Sequence, residues 1–183
     1  MGIQNLYQEA IIFATIKHME KEQKVPGTEL PYVVHLSNVA MEIIIASCNS
    51  ENFNLEFAIQ VALLHDTIED TSTTVGELKD KFGNDISNAV LALTKNSLLP
   101  KDQQMKDSIS RIKVLQYEVW AVKLADRIAN LQTPPPYWDI QKKLNYQSEA
   151  KIILKELKDG NNYLTNRLEI MIEEYARLYI GAF

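Results

Sequence analysis

The run Ala62-Leu63-Leu64-His65-Asp66-Thr67-Ile68-Glu69-Asp70 changes character halfway along. From Phe57 to Leu64 the chain is apolar except for Gln60; His65, Asp66, Glu69 and Asp70 then follow within six positions. An apolar run of that length, made of helix formers, predicts a helix buried on most sides. Ionisable groups against such a helix are costly to bury unless they pair or ligate a metal. If the helix runs on, Glu69 lies four residues after His65 and Asp70 four after Asp66, on neighbouring faces. His65 and Asp66 offer an imidazole and a carboxylate, two of the ligands a divalent cation takes. A helix end with solvated acids would account for the same residues, and this segment alone does not choose.

Outward from it, helical periodicity continues in both directions. Residues 31–47 predict a helix opened by Pro31, a favoured first-turn residue, with His35 in that first turn and Val34, Val39, Ile43 and Ile44 on its apolar face. Residues 4–22 predict an amphipathic helix through Leu6, Ala10, Phe13, Ala14 and Ile16, with Lys17 and His18 at its polar end. Between the two, Lys24 to Pro31 holds two prolines and a glycine and reads as a loop. Downstream, Thr74-Val75-Gly76-Glu77 is a capping-box pattern for a short helix ending at Gly83, and another follows to about Lys95. Pro100 opens a more polar helix. The segment Val119 to Leu131 is apolar, yet Lys123, Asp126 and Asn130 share a stripe, so it reads as a core network or as the wall of a site. Pro134-Pro135-Pro136 stops that helix, and two long helices, about 139–158 and 162–180, close the chain around Gly160. No strand-like alternation interrupts the pattern. The expectation is an all-α bundle, one domain over 1–183.

Composition narrows the function. With 46% hydrophobic and 23% charged residues the chain is of the globular class. A net charge of −5 argues against a nucleic-acid binder, although a local basic patch could still hold a phosphorylated small molecule. The single cysteine, Cys48, excludes an internal disulfide and, among apolar neighbours, is expected to be a buried, inert thiol. No signal-peptide pattern and no apolar run long enough for a bilayer is seen, which predicts a cytoplasmic protein without membrane contact. The pattern allows a homo-oligomer without requiring one. Glycine-rich phosphate loops, a nucleophile elbow and paired Cys-x-x-Cys elements are absent.

The chemistry-bearing residues therefore reduce to His35, His65, Asp66 and Asp126, spread over separate predicted helices. Two imidazoles and two carboxylates can hold one divalent ion, with Mn²⁺, Fe²⁺ and Zn²⁺ all suited to mixed nitrogen and oxygen ligation. Glu69 and Asp70 are placed to act as general base or to orient water.

Three segments carry a resemblance to a known family. They are Pro31-Tyr32-Val33-Val34-His35, the extended Leu63-Leu64-His65-Asp66-Thr67-Ile68-Glu69-Asp70-Thr71, and Val122-Lys123-Leu124-Ala125-Asp126-Arg127-Ile128-Ala129-Asn130-Leu131. In this order they resemble the HD-domain metal-dependent phosphohydrolases, and among them the hydrolase domain of the RelA/SpoT alarmone enzymes. The nearest match is to the small single-domain alarmone hydrolases, over roughly residues 5–155. The resemblance implies a small-molecule nucleotide substrate, removal of the 3′-pyrophosphate of guanosine tetra- or pentaphosphate, and one ion, typically Mn²⁺. It makes His35, His65, Asp66 and Asp126 the metal ligands and Glu69 and Asp70 the pair that activates water. Asn130 falls at a nucleotide-holding position, Lys142 and Tyr146 at positions that contact phosphates and sugar, and Trp138 reads as packing. The chain departs from the family before Pro31, where Gln23-Lys24-Val25-Pro26 replaces the usual arginines. Lys24 keeps one charge but not the planar, bidentate geometry of arginine. Adenosine alarmones, a phosphatase acting on NADPH or other nucleotides, and a non-catalytic nucleotide sensor are the alternatives.

Overall fold

In a computed structural model, which describes residues 2–181, the central apolar run forms α3 (Leu55–Leu64). Its Ala58, Ile59, Val61, Ala62, Leu63 and Leu64 are buried, and Asn54 caps its start by accepting from the Phe57 N–H. Three helices surround it: α1 (Ile3–Met19), α2 (Val33–Cys48) and α8 (Tyr117–Asn130). Short side chains lie where they meet, with Ala10 and Ala14 on α1, Ala40 and Ala46 on α2, and Ala121 and Ala125 on α8 all buried. Such residues let helix axes approach closely.

Between α3 and α8 run α4 (Thr67–Asp70), α5 (Val75–Phe82), α6 (Asn84–Leu93) and α7 (Lys101–Ile112). Half of the expected capping box forms: Thr74 accepts from the Glu77 N–H, while the Glu77 carboxylate pairs with Lys17 (2.7 Å), and Gly83 makes the α5–α6 turn at φ +88°. Past the proline run, α9 (Ile140–Leu157) and α10 (Asn162–Tyr175) pack on each other and on α8. The fold is all-α. No strand occurs among the described residues; an isolated antiparallel bridge joins Lys24 to Pro31.

Three details depart from expectation. The central helix does not run on through Asp70: it ends at Leu64, and α4 begins at Thr67. Side chains take the carbonyls that a continuous helix would use, His65 Nδ1 donating to Ala62 O (2.8 Å) and Thr67 Oγ1 to Leu64 O (2.7 Å). On α1 the buried seam is Ala10, Ala14 and His18, while Ile16 faces outward. Cys48 is exposed, because the last turn of α2 runs past the core after Ala46.

Two glycines permit close approaches. Gly27, at φ +78°, lets the 24–31 loop touch Pro135; a Cβ there would lie 2.9 Å from Pro135 Cα. Gly160 lets the α9–α10 turn press on α8, where a Cβ would lie 2.5 Å from Trp120 Cβ. Gly160→Ala should therefore cost about 1–3 kcal/mol through overpacking. A thermal unfolding midpoint several degrees below wild type is the expected reading.

Candidate active site

The helix arrangement brings four ligand-bearing side chains to one point. The first turn of α2 supplies His35, the break between α3 and α4 supplies His65 and Asp66, and the last turns of α8 supply Asp126. One ligand atom from each lies within 4.8 Å of all the others. His65 Nε2 is 2.9 Å from Asp66 Oδ2 and 3.6 Å from Asp126 Oδ1; His35 Nε2 is 3.7 Å and 3.5 Å from the same oxygens. The two Nε2 atoms are 3.4 Å apart.

These separations suit a common cation. With ligand bonds of about 2.0–2.2 Å, neighbouring donors around one ion stand roughly 3 Å apart and opposed donors roughly 4 Å. The tautomer fits as well. His65 Nδ1 gives its proton to Ala62 O, which leaves Nε2 with a lone pair aimed into the cluster. The donor set can therefore hold one divalent cation.

Both carboxylates are oriented by further bonds. Asp126 Oδ2 accepts from Lys123 Nζ at 3.0 Å and Oδ1 from Asn130 Nδ2 at 2.5 Å; Asp66 Oδ2 accepts from the Tyr32 hydroxyl at 2.5 Å. In the metal-free protein, burial opposes a charge on His65, but Asp66 and Asp126 outweigh it and hold its pKa well above the usual imidazole range. Burial likewise opposes the charge on Asp126, yet Lys123, then the two histidines, hold it well below the usual carboxylate range. Asp66 is also lowered, His65 overcoming the cost of burial.

The acidic pair on α4 divides. Both Glu69 oxygens are occupied, Oε2 by the Lys95 N–H (2.9 Å) and Oε1 by Lys95 Nζ (3.0 Å). Asp70 has one bond, from Gln23 Nε2 to Oδ2 (2.7 Å). Its pKa is raised, by the loss of solvent on its inner side and then by the Asp66 carboxylate.

A cavity of about 470 Å³ adjoins the cluster, with His35 and Asn130 in its wall beside Val34, Pro135, Trp138 and Tyr146. Trp138 meets Tyr146 edge-on (5.0 Å, 67°), so it both packs and lines the cavity. The Arg127 guanidinium lies over the Tyr146 ring at 4.3 Å, and burial pushes the Tyr146 hydroxyl up to about 12. Lys24 and Lys142 are not in that wall. Lys24 pairs with Glu29, and the Lys142 ammonium stands 5.2 Å from the Trp138 ring centre.

The family profile described as "HD domain" matches residues 10–150. The chain belongs to the HD-domain family. Among full-length relatives, the Danio rerio protein named guanosine-3′,5′-bis(diphosphate) 3′-pyrophosphohydrolase MESH1 is 33% identical over 171 residues, covering 91% of this chain and 92% of its own. A guanosine-3′,5′-bis(diphosphate) 3′-pyrophosphohydrolase of Aquifex aeolicus is 30% identical over 181 residues, 94% of this chain but 24% of that longer protein. A solved structure of a metazoan SpoT orthologue that hydrolyses ppGpp and plays a role in starvation responses superposes with a TM-score of 0.80 at 25% identity. The match covers 94% of this chain and 97% of that one.

Within this HD domain, sequence patterning did not single out Tyr32, Gln23 or Lys95. Tyr32 stands three residues before His35, a spacing that could have drawn attention to it. Gln23 and Lys95 lie 47 and 26 residues from the carboxylates they bind, and no local spacing marks them.

Divalent cation binding should stabilise the fold, and a proton should compete with it. The pKa of His65 is raised in the metal-free protein, so that residue's protonation stabilises the metal-free form at low pH and this is lost as pH rises through its folded pKa. Titrating Mn²⁺, Fe²⁺ or Zn²⁺ into chelator-treated protein should raise Tm more at about pH 8 than at about pH 6. Asp66→Ala should abolish the increment; an unchanged increment would remove Asp66 from the ligand set.

Proposed function

We propose that the chain is a metal-dependent 3′-pyrophosphohydrolase of guanosine tetra- and pentaphosphate, acting with one Mn²⁺ ion as a single cytoplasmic domain over 1–183. The observation that carries this reading is the acidic pair one turn beyond the ligand cluster, one member pinned and the other free at one oxygen. A pure nucleotide binder has no need of such a pair. The names of the relatives and the activity of the structural neighbour point the same way. A cavity of about 470 Å³ also lies in the range for small-molecule sites.

In this reading the substrate lies in the cavity with its 3′-pyrophosphate toward His35 and Asn130. Asn130 spends one amide hydrogen on Asp126 and keeps its carbonyl and second hydrogen for the nucleotide. A divalent cation held by His35, His65, Asp66 and Asp126 would supply charge stabilisation to the phosphoryl oxygens and acidify water. Asp70 Oδ1 takes the proton of the attacking water, whose oxygen bonds to the phosphorus next to the sugar. The bond from that phosphorus to the 3′-oxygen breaks, pyrophosphate leaves, and the 3′-oxygen takes up a proton to give GDP or GTP. Glu69, held by Lys95, orients the pair. Trp138 and Tyr146 provide aromatic surface for the nucleoside.

A second reading, hydrolysis of adenosine alarmones, is favoured by the loop over 23–26. It carries no arginine, and its one lysine is paired with Glu29.

Guanosine tetraphosphate, its adenosine counterpart and NADPH, incubated in parallel with Mn²⁺ and a chelator control, separate the readings. Chelator-sensitive release of pyrophosphate from the guanosine substrate is expected. Orthophosphate from NADPH alone would overturn the proposal. Asp70→Asn should lower kcat by about 10²–10⁴ with metal content intact, and Glu69→Gln by less. Because the Asp70 pKa is raised and a base must be deprotonated, activity should fall with decreasing pH at values above the ordinary aspartate range.

A further inference from the structure

Asp70 is reached by a chain of polar contacts that begins deep in the first helix. His18 ends the buried seam of α1 and is only 2% exposed. Its Nδ1 stands 2.6 Å from Gln23 Oε1, and Gln23 Nε2 stands 2.7 Å from Asp70 Oδ2. Charge fixes the direction of this chain. An ionised carboxylate only accepts, so the Gln23 amide must turn its NH₂ toward Asp70 and its carbonyl toward His18. The imidazole must then donate from Nδ1. The opposite amide orientation would set a carbonyl oxygen against the carboxylate.

The local backbone is built to hold this arrangement. Glu22, at φ +51°, turns the chain tightly enough for the Gln23 N–H to reach His18 O (3.1 Å), and the Tyr32 N–H donates to Gln23 O (3.3 Å). The Tyr32 ring lies against the imidazole at 4.6 Å, tilted by 31°. His18 Nε2 has no protein partner among the described residues. A buried polar atom without a partner is unfavourable, and a leucine would fill the space without that cost. A role for the Nδ1 proton accounts for the histidine.

We propose that His18 and Gln23 are positioning residues for Asp70. The buried imidazole, donating from Nδ1, holds the Gln23 amide in the orientation that the Asp70 carboxylate requires, and the amide N–H holds Oδ2 so that Oδ1 is left to take the proton. The inference rests on the proposed role of Asp70. The other charged and titratable groups facing Asp70 are Asp66 and Glu69 on its own side and His65 beyond them.

Four variants test it with guanosine tetraphosphate and Mn²⁺. His18→Leu and Gln23→Leu should each lower kcat by about 10- to 100-fold, the worth of a hydrogen bond to a charged group, and leave KM and metal content near wild type. His18→Asn, which keeps an N–H close to the Nδ1 position, should recover most of the loss. Gln23→Glu is the sharpest test. It is nearly isosteric and still accepts from His18, so a merely structural role makes it the mildest change. Positioning of Asp70 makes it at least as damaging as Gln23→Leu, because a carboxylate then faces a carboxylate.

A readout independent of turnover is the tautomer. Nitrogen NMR of the metal-free protein should find the His18 ring protonated at Nδ1, and protonation at Nε2 alone would overturn the relay. In an Asp70→Asn background, Gln23→Leu should cost nothing further. If Asp70→Asn abolishes turnover while His18→Leu and Gln23→Leu keep wild-type kcat, the relay is wrong and the role of Asp70 stands. If Asp70→Asn itself keeps wild-type kcat, that role falls, and the relay with it.

Discussion

Two carboxylates and the lone pairs of two imidazoles meet within 4.8 Å, at the point where α2, the α3–α4 break and α8 converge. Without positive charge that meeting is unfavourable, and much of the surrounding structure supplies compensation. Lys123, Asn130 and Tyr32 donate to the two acids, and burial of His35 and His65 keeps the cluster out of bulk water. The helices pack closely, with alanines buried along their contacts, and a wider separation would leave gaps there. The protein thus holds the cluster compensated from several sides among closely packed helices, the kind of arrangement that preorganised sites require.

The two members of the acidic pair show how neighbouring residues of like chemistry acquire different surroundings. Glu69 and Asp70 are adjacent in sequence and share α4, yet one is saturated by Lys95 and the other is held at a single oxygen. A saturated carboxylate has its charge satisfied and is a poor proton acceptor. One with a free oxygen and a raised pKa is a better one. The difference arises from residues far away in the chain, Lys95 just beyond α6 and Gln23 between α1 and α2.

That distance also explains what the sequence could reveal. Helical periodicity announced an all-α chain, and the apolar run from Phe57 to Leu64 announced the helix at its centre. The order of His35, His65-Asp66 and Asp126 was legible because each stands in a locally distinctive segment. The break after Leu64 was not, since it depends on the His65 and Thr67 side chains competing for backbone carbonyls. Ile16 and His18 exchanged their expected places because periodicity ranks residues by hydropathy, whereas His18 is turned inward onto Gln23 and the Tyr32 ring. The pairings of Lys24 with Glu29 and of Lys142 with Trp138 depend on side-chain reach, which spacing does not encode.

The pairing of Lys24 with Glu29 bears on the encounter with a ligand. The cavity wall contains no lysine or arginine, its nearby loop is locally neutralised, and the chain carries a net charge of −5. Highly anionic nucleotides commonly reach their sites down a gradient of positive potential, which accelerates association and fades with added salt. Here the net charge opposes an anionic ligand, while Arg127 over Tyr146 and Lys142 beside Trp138 set positive charge directly behind the cavity wall. Salt screens the repulsion as well as the attraction, so the ionic strength of the surroundings acts on how fast the site fills through both.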